Sequence, residues 1–189
     1  MATPTTKADK RSRLIEAAIK LAYRQGFRRT TLADIAKQAK VPLGNVYYYF
    51  KTKDEIGEAI VAQRLLEFQA LREKWDRAGS PKNRLQAFVQ MTLGNRALLA
   101  RGGCPAGTLC SELHKEGGPL AKKASPLFAE PLAWTEAQFR ALGKGRDSEG
   151  FAVHLLSALQ GVSLLAHSFR KSNYVALEAA RLQDWIRTL

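Results

Sequence analysis

Thr31, Lys40, Asn45, Tyr47, Tyr48, Lys51 and Lys53 place seven side-chain hydrogen-bond donors within about two dozen residues, with Gly44 among them. Donors of these kinds serve phosphate oxygens and base edges, the two surfaces a nucleic-acid duplex offers. Asn45 can pair with a base edge, and Pro42 or Leu43 can touch a thymine methyl. The phenols of Tyr47 and Tyr48 can donate to phosphates, while Lys51 and Lys53 close the far side. Lys40 adds a cation, and Thr31 at a helix N-terminus can donate from hydroxyl and backbone. Gly44 removes bulk where backbone must come close. Together they describe a probe for the major groove of DNA.

Such a probe needs rigid elements behind it. A helix is expected from Lys7 to Gln25, with Leu14, Ile15, Ala18, Ile19, Leu21 and Ala22 at helical spacing and Gly26 as its stop. Residues 1–6 read as an unstructured start. Thr30 or Thr31 is a natural N-cap for a second helix, Leu32 to Ala39, that buries Leu32, Ile35 and Ala36. Lys40 and Val41 make the turn. Pro42 suits the first position of a third helix reaching Phe50, whose Val46 and Phe50 face inward. Helix, tight turn, helix is the expected arrangement.

Charge points the same way. The 189 residues carry a formal net charge of +13. Residues 1–54 hold 12 Lys and Arg against 4 Asp and Glu, a net of +8, whereas residues 55–189 hold 18 against 13, a net of +5. A basic N-terminal third is the footprint of a polyanion binder. No apolar run approaches the ~18–20 residues of a membrane span, and the start lacks the apolar region of a secretory signal. The expected location is the cytoplasm. Cys104 and Cys110 are too few for a disulfide framework, and no histidine or cysteine spacing suggests a metal. A nucleophile elbow, a phosphate loop and a zinc-binding helix are all missing, so neither catalytic residues nor a cofactor are expected.

The rest of the chain continues as helices: Lys53 toward Trp75, Pro81 to Leu99, Pro105 to Gly117, Ala121 to Leu142 with an interruption near Pro126 or Pro131, Asp147 to Arg170, and Tyr174 to Arg187. The fold class is all-α with about nine helices, divided into residues 1–55 and 56–189. Trp75, Phe88, Met91, Phe128, Trp134 and His154 are materials for an apolar pocket with a polar group, ordinary core packing being the alternative. On the eighth helix Phe151, Leu155, Ala158, Leu159, Val162, Ala166 and Phe169 line one face, and Leu156, Ser163 and Leu164 another. A helix apolar on two sides must be covered twice, by its own chain and a second copy or, as the alternative, wholly within one subunit. Trp185 joins this candidate dimer interface. Cys104 falls at the N-cap of the helix that opens at Pro105, where the helix dipole favours thiolate. Cys110 falls on that helix's apolar face and reads as an inert core residue.

Residues 11–56 resemble the N-terminal domain of TetR-type (tetracycline-repressor-like) regulators. The resemblance rests on Thr31, Ile35, Ala36, Ala39, Val41, Gly44, Val46, Tyr47, Tyr49, Phe50, Lys53 and Ile56. It departs from the pattern at Lys40, where a turn glycine is usual, and at Pro42, where a capping Ser or Thr is usual. The resemblance implies phosphate contacts from Tyr47, Tyr48 and Lys53, base reading by the start of the third helix, and a homodimer built from the last two long helices. It implies a regulator, in the main a repressor, released from a palindromic operator by a small apolar or reactive effector. Residues 102–113, GGCPAGTLCSEL, also resemble an element of a TetR-type subgroup whose members include cysteine-based sensors. On that alternative Cys104 senses electrophiles or oxidants.

Overall fold

The first helix ends where its sequence stops it. In the computed structural model, which describes residues 7–77 and 79–189, α1 runs Lys7–Gln25. Leu14, Ala17, Ala18 and Leu21 recur at helical spacing and are buried, and Gly26 at φ +91° turns the chain out of the helix. The unstructured start expected over residues 1–6 lies outside the described residues.

Next come α2 (Leu32–Ala39), α3 (Leu43–Tyr49) and α4 (Lys53–Asp76). They are followed by α5 (Pro81–Gly94), α6 (Arg96–Gly102), α7 (Pro105–Glu116), α8 (Gly118–Ala124) and α9 (Pro126–Ala141). A 3-10 turn at Gly145–Asp147 leads into α10 (Ser148–Phe169), and α11 spans Asn173–Thr188. The described residues contain no strand.

The expected nine-span, all-α layout is present, with two of its spans divided. The span expected from Pro81 to Leu99 breaks at Asn95, whose backbone sits at ψ 10°. Its side-chain amide donates to the Met91 carbonyl at 2.9 Å, beside its own backbone N–H, which reaches the same oxygen at 3.2 Å. The span from Ala121 to Leu142 breaks before Pro126, which has no N–H to continue the ladder.

The chain forms two compact units, Met1–Leu65 with Thr108–Ser125, and Leu66–Gly107 with Pro126–Leu189. In the first, Ile35, Ala36, Ala39, Val41, Val46, Phe50, Ile56 and Ile60 are buried, as are Leu109, Leu113, Leu120 and Ala124 of the later segment. Leu32, expected in this core, is half-buried. The second unit is built on Trp75, Leu85, Phe88, Val89, Trp134, Phe139, Leu155, Leu159, Leu182 and Ile186. Its α10 is long and apolar enough, by length and composition, to cross a membrane. That apolar content has a local use: Ala152, Leu155, Leu156, Leu159, Val162 and Ala166 are buried within the unit.

Candidate nucleic-acid interface

The first unit positions the expected donors through two caps on α2. At its N-terminus Thr31 and Asp34 form a reciprocal capping box: the Asp34 N–H donates to the Thr31 hydroxyl, and the Thr31 N–H donates back to the Asp34 carboxylate at 3.0 Å. The Thr31 hydroxyl also donates to that carboxylate, at 2.7 Å. These bonds, the hydroxyl's first and the backbone's second, hold the Asp34 pKa below its ordinary value. Thr31, expected to donate to phosphate from both groups, has already committed both to Asp34. There it positions α2.

At the other end Lys40 stands at φ 53°, ψ 46°, in the left-handed region. Lys40 N–H reaches the Lys37 carbonyl and Val41 N–H reaches the Ala36 carbonyl at 3.0 Å. This is the Schellman arrangement, with lysine where glycine is favoured. Arg13 of α1 donates to the carbonyls of Ala39 and Lys40, so the turn is also held from behind. The Lys40 side chain is exposed.

The turn delivers α3 with one apolar edge inward. Val46 is fully buried, while Leu43, Gly44, Tyr47 and Tyr48 are exposed and Asn45 is half-exposed. A Cβ built on Gly44 meets nothing within 4 Å. The protein's own packing therefore does not require glycine there. Pro42, expected as the first helical residue, is instead the N-cap: at φ −55°, ψ 139° it is extended, and helical backbone starts at Leu43. Proline brings no side-chain acceptor, and no side chain caps this end. Phe50, expected within α3, likewise falls just outside it as the extended C-cap.

The two lysines after α3 differ. Lys51 is exposed, with its ammonium on the Tyr47 carbonyl at 2.8 Å. Lys53 turns back: its ammonium donates to the Arg28 carbonyl at 2.7 Å and lies 4.8 Å from the Phe27 ring centroid. One of its three N–H groups is thus used to hold the loop between α1 and α2.

That loop has further anchors that sequence reasoning missed. The Arg28 N–H donates to Glu112 at 3.0 Å, and the Arg28 guanidinium pairs with Glu116 at 3.8 Å. Gly57 packs so tightly that a Cβ there would sit 2.6 Å from Leu120 and 2.9 Å from Phe27. Lys123 pairs with Glu58 at 2.6 Å. The Thr108–Ser125 segment is thus part of the unit that carries α3. Partners 84 residues apart leave no periodic signal. The nearest hint was a glycine, Gly57, inside a helix.

The candidate effector residues do not form one site. Trp75, Phe88 and Trp134 are buried against each other, with ring centroids 5.3–5.9 Å apart, and Met91 and Phe128 pack on the same cluster. They are core. His154 is exposed and stands edge-on to Trp185 at 4.8 Å, in an open cleft of about 560 Å³ with Arg146, Asp147, Gly150 and Phe151. Cys104 packs on a smaller cluster with Leu99, Ala100, Val162, Ala166 and Val175. It does occupy the N-cap of α7, where the Gly107 N–H donates to its sulfur at 3.4 Å. Cys110 is buried and touches His114 and the Ala124 carbonyl; burial raises its thiol pKa.

Most residues of the candidate dimer face already have a use inside the chain. Leu155, Leu159, Val162 and Ala166 are buried inside one chain, and Phe151, Ala158 and Trp185 pack partly into its core. Residues used by one chain's core are not available to a second. Of that set Phe169 alone is well exposed. The open side of α10 carries Gly150, Val153, Ser157, Gly161, Leu164, Leu165 and Ser168, and α11 adds exposed Leu177. At 100° per residue these α10 positions form one stripe opposite the buried one.

A two-cap α2, a left-handed turn and a short α3 with an exposed polar face make a helix-turn-helix, the class defined by this fold and site. Residues 14–60 match the model of bacterial regulatory proteins, tetR family. The segment that carries the helix-turn-helix is thus of the tetR-family type. It is 26% identical over 129 residues to the HTH-type regulator YxaF of Bacillus subtilis (strain 168), covering 66% of this chain and 66% of that protein. With the HTH-type transcriptional repressor NemR of Escherichia coli (strain K12) it shares 29% identity over 113 residues, 59% of this chain and 55% of that protein. The matches thus span about half to two thirds of these curated relatives. The fold also matches the crystal structure of a TetR regulator from Legionella pneumophila, with TM-score 0.83, 18% identity, and coverage of 97% of this chain and 98% of that one.

Proposed function

We propose that this chain is a homodimeric, cytoplasmic repressor that binds a palindromic operator through residues 1–55 and is released by a small molecule bound through residues 56–189. The observation that carries the reading is the outer face of α3. Leu43, Tyr47 and Tyr48 are 42%, 47% and 58% exposed beside a glycine whose missing side chain nothing in the chain would obstruct. Large apolar groups left in water on a short helix are disfavoured unless something covers them. A duplex major groove fits: Leu43 and Asn45 meet base edges, Pro42 or Leu43 a thymine methyl, and Tyr47, Tyr48, Lys40 and Lys51 meet phosphates. Lys53 keeps two N–H donors for phosphate while it braces the loop.

Two copies make the specificity practical, because paired recognition helices read half-sites one helical turn apart. The open α10 stripe supports the second copy: small Gly150, Ser157, Gly161 and Ser168 let backbones approach, and Val153, Leu164 and Leu165 supply apolar area. Release follows if the effector shifts the loop held by Glu112, Glu116 and Lys53, since that loop sets the start of α2. The test is selection of duplex fragments by the purified protein, followed by affinity against salt. A palindromic site with a steep negative salt slope is expected; enrichment of no duplex would end the proposal.

A second reading concerns the trigger. Cys104 sits half-buried at an N-cap, and the relative NemR is itself a repressor. Thiol modification would break the hydrogen bond from Gly107 to the sulfur and disturb the first turn of α7. If Cys104→Ser leaves release by an electrophile such as N-ethylmaleimide unchanged, the thiol reading is wrong.

A further inference from the structure

The second unit contains one buried polar group that nothing satisfies. Among the described residues, Arg84 Nε is the single buried side-chain nitrogen or oxygen without a hydrogen-bond partner. The guanidinium of this α5 residue reaches one protein group, the Gln138 amide oxygen, at a long 3.4 Å from Nη1. No carboxylate of the described residues pairs with it. The neighbouring polar groups are already occupied. The Gln138 amide donates to the Trp134 carbonyl, and the fully buried Thr135 hydroxyl donates to the carbonyls of Pro131 and Leu132.

Other arginines that insert into the protein have a plain structural role. Arg13 closes on the carbonyls at the end of α2, and Arg170 on those of Ala100 and Arg101 at the end of α6. Arg84 closes on no helix end. Arg84 is partly buried, and its Nε–H, out of reach of water, is costly to leave without an acceptor, which an anion would supply. Nε and Nη2 form one edge of the guanidinium, two parallel donors that match the two oxygens of a carboxylate, and of the two Nε is the buried one. The surroundings fix the rest of the ligand. Phe88 lies one helical turn from Arg84 on α5, and Trp134 lies one turn from Gln138 on α9, with their ring centroids 5.9 Å apart.

We propose that Arg84 is the anchor for the carboxylate of a small apolar acid, whose body lies toward Phe88 and Trp134. This rests on the regulator reading and names the chemical class of its effector. Binding would order the guanidinium between α5 and α9 and repack the aromatic cluster beside it.

Three purified proteins test it: wild type, Arg84→Met and Arg84→Lys, each alone and with benzoate or its neutral isostere benzamide at matched ionic strength. Without additive, Arg84→Met should melt at or above the wild-type temperature, because a charge without a counter-ion is replaced by an apolar chain of similar length. Benzoate should raise the wild-type midpoint by about 5 °C or more at about a hundred times its Kd, and quench tryptophan fluorescence saturably. Benzamide should do neither, Arg84→Met should lose the benzoate response, and Arg84→Lys should weaken it at least tenfold. A lower melting temperature for Arg84→Met would make the arginine a structural element and overturn the site. Equal responses to benzoate and benzamide, or none to either, would overturn the carboxylate assignment. Operator affinity of Arg84→Met without additive should stay within twofold of wild type. A failure of DNA selection would strike the regulator reading alone, since the melting and fluorescence arms contain no DNA.

Discussion

Replacing Lys40 with glycine should make the protein more stable and a weaker DNA binder. Lys40 is a non-glycine residue at φ 53°, ψ 46°, a conformation costing an L-residue about 1–2 kcal/mol. Glycine relieves that cost but has a freer unfolded chain, which offsets roughly 0.5–1 kcal/mol. The turn's other supports survive, because Arg13 holds the main-chain carbonyls of Ala39 and Lys40, and both Schellman bonds are main-chain. The net gain is about 0.5–1 kcal/mol, a rise of roughly 1–4 °C in melting temperature for a chain of this size. The same change removes an exposed cation beside α3. With one fewer phosphate neutralised by each subunit, the slope of log affinity against log salt becomes shallower by about 0.9 per subunit. Calorimetry and fluorescence anisotropy over a salt series measure the two effects separately. A fall in melting temperature would refute the strain argument, and an unchanged salt slope would remove Lys40 from the DNA interface.

Gly44→Ala should leave the melting temperature unchanged or raise it slightly, since its Cβ meets nothing within 4 Å and alanine favours helix. Operator affinity should nevertheless fall at least tenfold, and unchanged binding would place the duplex elsewhere. Gly57→Ala should do the opposite: despite about 1 kcal/mol of helix propensity, its Cβ would enter 2.6 Å from buried Leu120 and 2.9 Å from buried Phe27. Overpacking of about 1–3 kcal/mol wins, so the midpoint should drop by a few degrees in a thermal melt, with partial recovery in Gly57→Ala/Leu120→Ala. Asp34 gives a pH test. Its folded pKa is depressed, so its contribution is complete above the unfolded value near 3.8 and is lost as pH falls through the lower folded value. Thr31→Ala, which removes the largest cause, should raise the Asp34 midpoint seen by carboxyl NMR and flatten stability below about pH 4; an unmoved midpoint would contradict the cap geometry.

Much of the reading head was legible because its information is local. Helical spacing in α1, the Thr31 cap, the Lys40 turn and the inward Val46 all lie within a few residues of what they act on. Pro42 was misplaced by one position because proline is equally compatible with a cap and a first helical residue, and ψ decides between them. The two faces of α10 are hard to tell apart in sequence for a different reason. Its stripes of Leu155, Leu159, Val162 and Ala166 and of Val153, Leu164 and Leu165 are both apolar, and which one turns inward depends on α9 and α11 rather than on α10. The aromatic residues suit pocket walls and core equally by composition, and the structure packs Trp75, Phe88 and Trp134 into one another's space. Arg84 drew no notice, because an arginine on a helix is ordinary until its partners are known.

The unit that carries α3 is discontinuous in sequence, and this bears on how such regulators can be rebuilt. Transplanting residues 1–65 alone onto a different sensor would leave Gly57 facing a foreign side chain instead of Leu120, Arg28 without Glu112 and Glu116, and Glu58 without Lys123. A working chimera needs two exchanged segments, Met1–Leu65 and Thr108–Ser125, moved as a matched pair. The same pairing couples the two stretches: a change at Leu120 or Glu112 is felt at Gly57 or at Gly26, whose Cβ would lie 2.9 Å from the Glu112 carboxylate, so a substitution in one limits what the other can accept.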